Sequence, residues 1–258
     1  MTLSQAVILG IVQGLTEFLP VSSSGHLVIA SEILKIKPDV AFDVLLHLGT
    51  LLAVTVFFLP DIIRILRAIF IERRPDDPYF RLGMLVIAAS VPTAIMGFLF
   101  KDSFEALFNS VFAVGCFLIL TGIVINVAER YGKPRKDIKK VSLLDSILIG
   151  IAQGCAIAPG LSRSGTTVSA SLLLGLDRGL AARFSFLLSI PAILGATVFK
   201  AKEIVGLPGR EVLFGFLFAA VTGYFAIWAF MGIIERRKIT AFAYYCFFAG
   251  FIAIMIGK

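Results

Sequence analysis

The chain has 258 residues, of which 58% are hydrophobic and only 16% are charged, and its mean hydropathy is +0.95. That is too little charge to cover the exterior of a soluble domain of this length. The net charge of +7 does not indicate nucleic-acid binding, because the basic residues form short clusters between apolar blocks. Many of these blocks are about 20 residues long, enough to cross a hydrocarbon core. We therefore predict an all-α polytopic membrane protein.

The N-terminal part of the chain predicts a broken helix. Residues 4–18 are apolar and helical in character but short for a span. Pro20 and a run of serines ending at Gly25 interrupt them, and a second short helix is predicted over residues 25–34. Non-helical backbone at membrane depth is tolerated only where it is buried in protein or lines a wet cavity. The pattern therefore predicts a re-entrant helical hairpin.

About six membrane-spanning helices are predicted, in two groups of three. A second broken segment, over residues 143–176, separates the two groups and predicts a second hairpin. Pro191 lies inside the first span of the second group and predicts a kink there. The predicted spans are residues 41–59, 82–100, 110–128, 181–199, 212–234 and 241–256.

The loops between the spans predict the orientation of the chain. Most Lys and Arg residues fall in loops that alternate with loops holding fewer of them, such as the loop of mixed charge over 101–109, and the positive-inside rule assigns the basic side to the cytoplasm. The basic loops are residues 61–81, 129–140, 177–183 and 235–238. The loops over 101–109 and 200–211 then lie outside. The first hairpin is expected to enter the membrane from the outside and the second from the cytoplasm.

The two hairpins are related by an internal repeat. Ten residues between positions 10 and 31 have an identical partner 140 positions later, without a gap. We therefore predict a single membrane domain over 1–258, made of two repeats, 1–128 and 142–258. An odd number of spans per repeat inverts the second repeat in the membrane. Interrupted helices at matching positions of such repeats indicate a binding site between them, near the midplane.

Glu17 is the first residue for which the sequence predicts chemistry. A carboxylate at membrane depth is costly unless it is paired, neutralised or hydrated. Gln13 lies four residues earlier, on the same helical face, and two such oxygen ligands suit Mg²⁺ or Ca²⁺. The alternative is a structural Glu17 that accepts hydrogen bonds from backbone amides of the hairpin.

Arg163 lies in the break of the second hairpin. Its guanidinium offers a fork of donors that fits phosphate oxygens, and the flanking Ser162 and Ser164 add hydroxyl groups. Gly165 allows backbone amides to approach an anion at the start of the next helix. These features predict a phosphate cradle. The alternative is a structural ion pair between Arg163 and Glu17.

Hydroxyl groups and a titratable base come together at residues 22–26. A serine beside a histidine can act as a nucleophile with its general base, so Ser23 and His26 are candidates for catalysis. The alternative is that Ser22, Ser23 and Ser24 form an ordinary helix cap and turn. For His47, in the span that follows, the sequence does not decide between an interior histidine and a site residue.

These residues resemble the integral-membrane undecaprenyl-diphosphate phosphatases, the bacitracin-resistance family. Two motifs carry the resemblance. The first, over residues 13–26, is Gln-Gly-Leu-Thr-Glu-Phe-Leu-Pro-Val-Ser-Ser-Ser-Gly-His, and the second, over residues 159–166, is Pro-Gly-Leu-Ser-Arg-Ser-Gly-Thr. The likeness extends over the whole chain. One departure is Gln13, at a position where the family's motif can carry Glu, which weakens the case for a cation held by two carboxylates.

The resemblance implies a reaction, a location and a set of site residues. The expected reaction removes the terminal phosphate from a C55 polyprenyl diphosphate, with a divalent cation, at the outer face of the cytoplasmic membrane. Glu17, Ser23, His26 and Arg163 are the expected catalytic residues, and Glu17 is also the expected metal ligand. The expected substrate-binding residues are Gln13, Ser22, Ser24, Ser162, Ser164, Gly165 and Thr166.

A protein of a different class would share several of these features. Secondary transporters and lipid flippases also use inverted repeats with broken helices, and a cradle around Arg163 would suit an anionic cargo. A carrier has no need of His26 beside Ser23, so the sequence favours the enzyme. The predicted partners are the polyprenyl-diphosphate lipid and membrane lipids, without nucleic acid, and the sequence does not indicate an oligomeric state.

Overall fold

The computed structural model describes residues 1–36, 40–108, 110–204, 209–236 and 238–257. Within these ranges the secondary structure is helical and contains no β-strand, which confirms the all-α prediction. The helices are α1 (Leu3–Phe18), α2 (Ser23–Ile33), α3 (Val40–Phe57), α4 (Leu59–Arg67), α5 (Pro78–Leu99), α6 (Lys101–Leu107), α7 (Val111–Tyr131), α8 (Leu143–Cys155), α9 (Arg163–Leu173), α10 (Arg178–Ile204), α11 (Gly209–Arg236) and α12 (Thr240–Ile256).

Both predicted hairpins form as two helices joined by a non-helical turn. Helices α1 and α8 begin with capping boxes, built on Thr2 and on Ser142. Helices α2 and α9 have eleven residues each and begin after a serine, Ser22 or Ser162, whose side chain accepts a hydrogen bond from a glycine amide. The two breaks are therefore capped in the same way, 140 residues apart. Entry of the hairpins from opposite sides of a membrane stays a prediction.

The described residues contain four helices that are long and apolar enough to cross a membrane, α5, α7, α10 and α11. The count rises to five if α3 and the bent continuation after it are taken as one span, and α12 is apolar but has only 17 residues. The protein is therefore a multi-pass membrane protein, while the count of six spans stays a prediction. Helix α10 continues through Pro191, and the kink there also stays a prediction.

Two segments that were predicted as loops are helical. Helix α4 and a π-helical turn, Ala68–Glu72, occupy much of 61–81, because Ile62, Ile65 and Ala68 recur at helical spacing and the next proline comes only at Pro75. Helix α6 occupies most of 101–109, a stretch without Gly or Pro. The loop predicted over 200–211 begins within α10, and residues 205–208 lie outside the described residues.

The first arm of each hairpin packs against the opposite half of the chain. Helix α1 lies along α11, and α8 lies along α5, while α7 pairs with α12 and α3 with α10. Gly10 of α1 meets the backbone of Gly215, and its repeat partner Gly150 meets the backbone of Ala89. A β-carbon at either glycine would collide with a carbonyl group, so the absence of a side chain permits this close approach. The two halves are thereby interlocked.

An aromatic cluster forms the part of the core next to the hairpin breaks. Phe18, at the end of α1, meets Phe186 of α10 edge to face, with ring centroids 5.4 Å apart. Phe58 and Phe230 pack on Phe186 in turn, and all four side chains are buried. Because Phe18 directly follows Glu17 and ends α1, this packing fixes the end of the first arm.

Candidate active site

Glu17 is the centre of a hydrogen-bond network that joins the two hairpins. Only 5% of the residue is exposed. Its Oε2 accepts hydrogen bonds from Nε2 of Gln13, at 2.9 Å, and from Oγ of Ser23, at 2.5 Å. Its Oε1 forms an ion pair with Nη2 of Arg163. A carboxylate paired in this way can stay charged inside the protein, and the alternative in which only backbone amides satisfy Glu17 is wrong.

Arg163 is the first residue of α9 and points across to the first hairpin. Its side chain is 15% exposed. While Nη2 pairs with Glu17, Nη1 is buried and has no hydrogen-bond partner among the described residues. The structure therefore contains the ion pair that the sequence left open as an alternative. It also leaves a donor of the guanidinium available for a ligand, as a phosphate cradle requires.

His26 faces away from the Glu17 network. Its Nδ1 lies 2.8 Å from the carbonyl oxygen of Ser22, and its Nε2 lies 2.7 Å from Oη of Tyr245 in α12. A carbonyl oxygen only accepts, so we assign the proton to Nδ1, and Nε2 then accepts from Tyr245. Ser23, the expected partner of this base, instead donates to Glu17.

The remaining predicted site residues form the walls of the two breaks. Oγ of Ser22 lies 3.3 Å from Oγ of Ser24, and Ser162 and Ser164 repeat this distance in the second hairpin. Ser164 also donates to the backbone carbonyl of Leu19, at 2.9 Å, which ties the second break to the first. The alternative in which these serines form an ordinary helix cap and turn therefore holds for Ser22, which caps α2. It does not hold for Ser23, whose hydroxyl donates to Glu17.

Gly165 and Thr166 lie in the first turn of α9. The amide of Gly165 donates to Oγ of Ser162 at 3.1 Å, so this amide is engaged in capping in the observed state. The hydroxyl of Thr166 is buried without a hydrogen-bond partner among the described residues. Thr166 therefore offers an unused polar atom close to Arg163.

Three residues outside the predicted set support the network. Thr121 of α7 donates to the carbonyl of Gly160 at 3.0 Å and accepts from the amide of Ser162 at 2.9 Å, which fixes the second break. His47 of α3 holds its Nε2 3.5 Å from Oε2 of Glu17. Tyr245 contacts His26, as described above. Thr121 and Tyr245 lie in apolar helices far away in sequence, and no motif marks them.

The residues present give a divalent cation few protein ligands. No group of three or more His, Cys, Asp or Glu side chains that could hold a metal occurs in the described part of the chain. Glu17 supplies one carboxylate, and Oε1 of Gln13 is buried with no hydrogen-bond partner there. Two hard oxygens of this kind fit a cation that takes its other ligands from a bound diphosphate and water.

Comparison with known families agrees with both motifs. The family model described as bacitracin resistance protein BacA matches residues 6–252. The chain belongs to this family. Membership in the BacA family confirms the resemblance seen in the sequence, and both hairpin breaks fall inside the matched region.

Similar BacA-family proteins occur in archaea and bacteria. A protein of Methanobrevibacter smithii named undecaprenyl-diphosphatase is 46% identical over 270 aligned positions, which cover 99% of this chain and 98% of that protein. Proteins of the same name from Carboxydothermus hydrogenoformans and Rubrobacter xylanophilus are each 45% identical, over 98% and 95% of this chain and 96% and 94% of their own lengths. The similarity therefore covers almost the full length of each relative.

Proposed function

We propose that this BacA-family protein is a hydrolase that converts undecaprenyl diphosphate to the monophosphate and inorganic phosphate. Such a reaction would recycle the lipid carrier of cell-wall synthesis and give resistance to bacitracin. The similar proteins are named undecaprenyl-diphosphatase, which supports undecaprenyl diphosphate as the substrate. The observation that carries the proposal is the direct connection of Ser23, Glu17 and Arg163 across the two hairpins.

Arg163 is proposed to bind the terminal phosphate of the substrate. The guanidinium exchanges the carboxylate of Glu17 for phosphate oxygens, and Nη1, which has no partner among the described residues, gains one. Charge that develops on the transferring phosphoryl group is thereby neutralised by a fixed cation in a site of low polarity. The N-termini of α2 and α9 add the positive ends of their helix dipoles.

Ser23 is proposed as the nucleophile, with Glu17 as the group that takes its proton. As Arg163 moves to the phosphate, Oε2 of Glu17 keeps its hydrogen bond to Oγ of Ser23 and takes the proton along it. Oγ of Ser23 bonds to the terminal phosphorus, the bond from phosphorus to the bridging oxygen breaks, and prenyl monophosphate leaves. Water then hydrolyses the phosphoserine and releases phosphate. This differs from the pairing of Ser23 with His26 expected from the sequence.

His26 is the alternative nucleophile or base, through Nε2. In the observed state Tyr245 donates to this nitrogen, so His26 can react only after Tyr245 turns away. Direct attack by His26 would give a phosphohistidine, which is labile to acid, whereas phosphoserine is stable to acid. Trapping the intermediate with labelled substrate and treating it with acid therefore separates the two mechanisms.

A divalent cation, Mg²⁺ or Ca²⁺, is proposed to bind between Glu17 and the diphosphate, with Oε1 of Gln13 as a further ligand. When bound it supplies neutralising charge to the diphosphate oxygens. The protein is further proposed to lie in the cytoplasmic membrane with its site open to the outer side. The prenyl tail would then lie along apolar helix surfaces that are reached from the bilayer.

Phosphate release by the purified protein tests the proposal. Farnesyl and undecaprenyl diphosphate are compared as substrates, with and without EDTA, for the wild type and for Arg163→Ala and His26→Ala. The proposal predicts metal-dependent release that Arg163→Ala abolishes and that His26→Ala reduces. Absence of release from well-folded wild-type protein would overturn it and would direct attention to lipid transport in liposomes.

A further inference from the structure

Helix α4 leaves the axis of α3 abruptly at Phe58. The axes of α3 and of the helical segment after the break differ by 72°. Pro60, in the first turn of α4, has no amide hydrogen to continue the hydrogen bonding of α3. Spans tilt by about 20° from the membrane normal on average, so a bend of this size directs α4 well away from the normal.

One face of α4 is fixed to the protein. Ile62 and Ile65 pack against the main core. Asp61 forms an ion pair with Arg183 of α10, at 3.3 Å, and Arg64 donates to Oη of Tyr79 in α5, at 2.7 Å. These contacts determine which face of α4 points away from the protein.

The outward face of α4 and of the π-helical turn that continues it carries a stripe of large apolar side chains. The positions follow the i, i+4, i+7, i+11 pattern of one helical face. The stripe consists of Leu59, Ile63, Leu66 and Phe70, which are 46%, 55%, 49% and 65% exposed. Since α4 is held firmly on its other side, this exposure is a built feature and not the fraying of a loose end. A stripe of this kind needs an apolar environment.

Lipid is the environment that reaches this stripe. Leu52 and Val56 of α3 are also large, apolar and exposed, and they come just before the stripe in the chain. A surface that faces the acyl chains therefore leads directly to α4. A protein partner would need a separate explanation for this continuity.

The charge beside the stripe selects the kind of lipid. Residues 59–74 contain four arginines and two acidic residues. Asp61 turns inward to Arg183, and Glu72 pairs with Arg67 at 2.9 Å, within the segment. The segment therefore presents an excess of positive charge next to its apolar stripe, the composition typical of helices that lie in an interface and attract anionic lipid.

We propose that Leu59–Glu72, together with Arg73 and Arg74 directly after it, is an interfacial segment that binds anionic phospholipid. The stripe enters the acyl region of the leaflet on the side of the basic loops. The arginines reach the phosphate groups, with their apolar stems along the helix. The helix thereby anchors the end of α3, the helix that carries His47 into the candidate active site.

The depth of the stripe is tested on the full-length protein in phosphatidylcholine nanodiscs. Phe70→Trp and, as a matched control in the following loop, Asp76→Trp are made in a Trp228→Phe background, so that each variant carries a single tryptophan. Lipids brominated on their acyl chains should quench the fluorescence of the Phe70→Trp variant by about half and leave that of the Asp76→Trp variant nearly unchanged. Equal quenching of the two variants would overturn the insertion.

The selectivity for anionic lipid is tested by charge removal. Arg67→Gln/Arg73→Gln/Arg74→Gln is compared with Lys133→Gln/Lys139→Gln/Lys140→Gln, which removes the same charge from the basic loop over 129–140. Binding of spin-labelled phosphatidylglycerol and phosphatidylcholine to each reconstituted variant is measured. The first variant should lose at least about half of the preference for phosphatidylglycerol and the second should keep it. Equal loss in both, or no preference in the wild type, would overturn the proposal.

Discussion

Ser23 and Arg163 occupy the same position in their respective hairpins, and each contacts a different oxygen of one carboxylate. Oγ of Ser23 donates to Oε2 of Glu17, and Nη2 of Arg163 pairs with Oε1. Each is the first residue of its helix, after a serine cap. The repeat has therefore kept the serine cap of the two breaks, although φ is 69° at Ser22 and −65° at Ser162. It has changed the group that each break presents, a hydroxyl in one and a guanidinium in the other.

Replacement of Arg163 by Ala should abolish phosphate release and also destabilise the protein. Glu17 would be left as a buried carboxylate without its cation, which costs about 3 kcal/mol of unfolding free energy. Adding Glu17→Gln should restore most of the stability and none of the activity. Unfolding in mixed detergent and phosphate release measure the two effects. Arg183→Ala, which breaks a more exposed ion pair with Asp61, is the control and should cost less than about 1 kcal/mol. Wild-type stability of Arg163→Ala would contradict the prediction.

Ser23→Ala should lower kcat by about a thousand-fold, because it removes the proposed nucleophile. Ser24→Ala is the matched control one residue away. Its hydroxyl contacts Ser22 at the long distance of 3.3 Å, and its removal should lower kcat by less than about ten-fold. Similar losses in the two variants would mean that the serines act only in the structure of the turn.

Tyr245→Phe should leave kcat and KM nearly unchanged on the Ser23 mechanism and should raise kcat by about ten-fold on the His26 mechanism, because the hydroxyl of Tyr245 occupies Nε2 of His26. In a His26→Ala background the same change should have no further effect. Steady-state kinetics of the two single variants and the double variant give this comparison. A loss of kcat in both backgrounds would show that Tyr245 acts independently of His26.

Gln13→Glu should lower the Mg²⁺ or Ca²⁺ concentration that gives half-maximal activity by about ten-fold. The change places a second carboxylate beside Glu17, and the charge of the ligand set tunes cation affinity. Gln153→Glu, at the matching position of the second hairpin, is the control and should leave the cation dependence unchanged. An unaltered cation dependence in Gln13→Glu would count against a cation bound at Glu17.

Thr121→Val should destabilise the protein by about 2 kcal/mol and reduce activity by about ten-fold. The amide of Ser162 would lose its buried acceptor, and Arg163, the next residue, would lose its fixed position. Thr197→Val is the control, because that hydroxyl donates only within its own helix in the described contacts, to the carbonyl of Ile193. Thermal unfolding and kcat distinguish the two variants, and equal effects would contradict the role given to Thr121.

The local parts of this site could be predicted from the sequence. Glu17 and Gln13 meet because they lie one helical turn apart, and both helix breaks follow from Pro, Ser and Gly residues. The internal repeat indicated that the two breaks belong together. Each of these inferences depends on neighbours along the chain or on a gap-free alignment of its two halves.

The other contacts of the site could not be predicted, because they join residues that are far apart in the sequence or depend on the direction of a side chain. Tyr245 meets His26 across 219 residues, from a helix that is apolar throughout. Whether Ser23 pairs with His26 or with Glu17 depends on the direction of its side chain at the start of α2. In the structure its hydroxyl donates to Glu17. Helix α4 was missed because its arginines were interpreted as a loop, although its apolar residues repeat at helical spacing.

The ion pair between Glu17 and Arg163 means that the site contains an anion of its own. The bilayer surrounds the protein with phosphodiester headgroups in large excess, each carrying at most a few negative charges spread over a bulky group. An uncovered guanidinium would attract them. On the proposed function, a ligand must displace the carboxylate, and a compact diphosphate does so more readily than a phosphodiester. The carboxylate of Glu17 thus makes the site select a diphosphate over a phosphodiester by its density of negative charge, whatever the shape of the lipid tail.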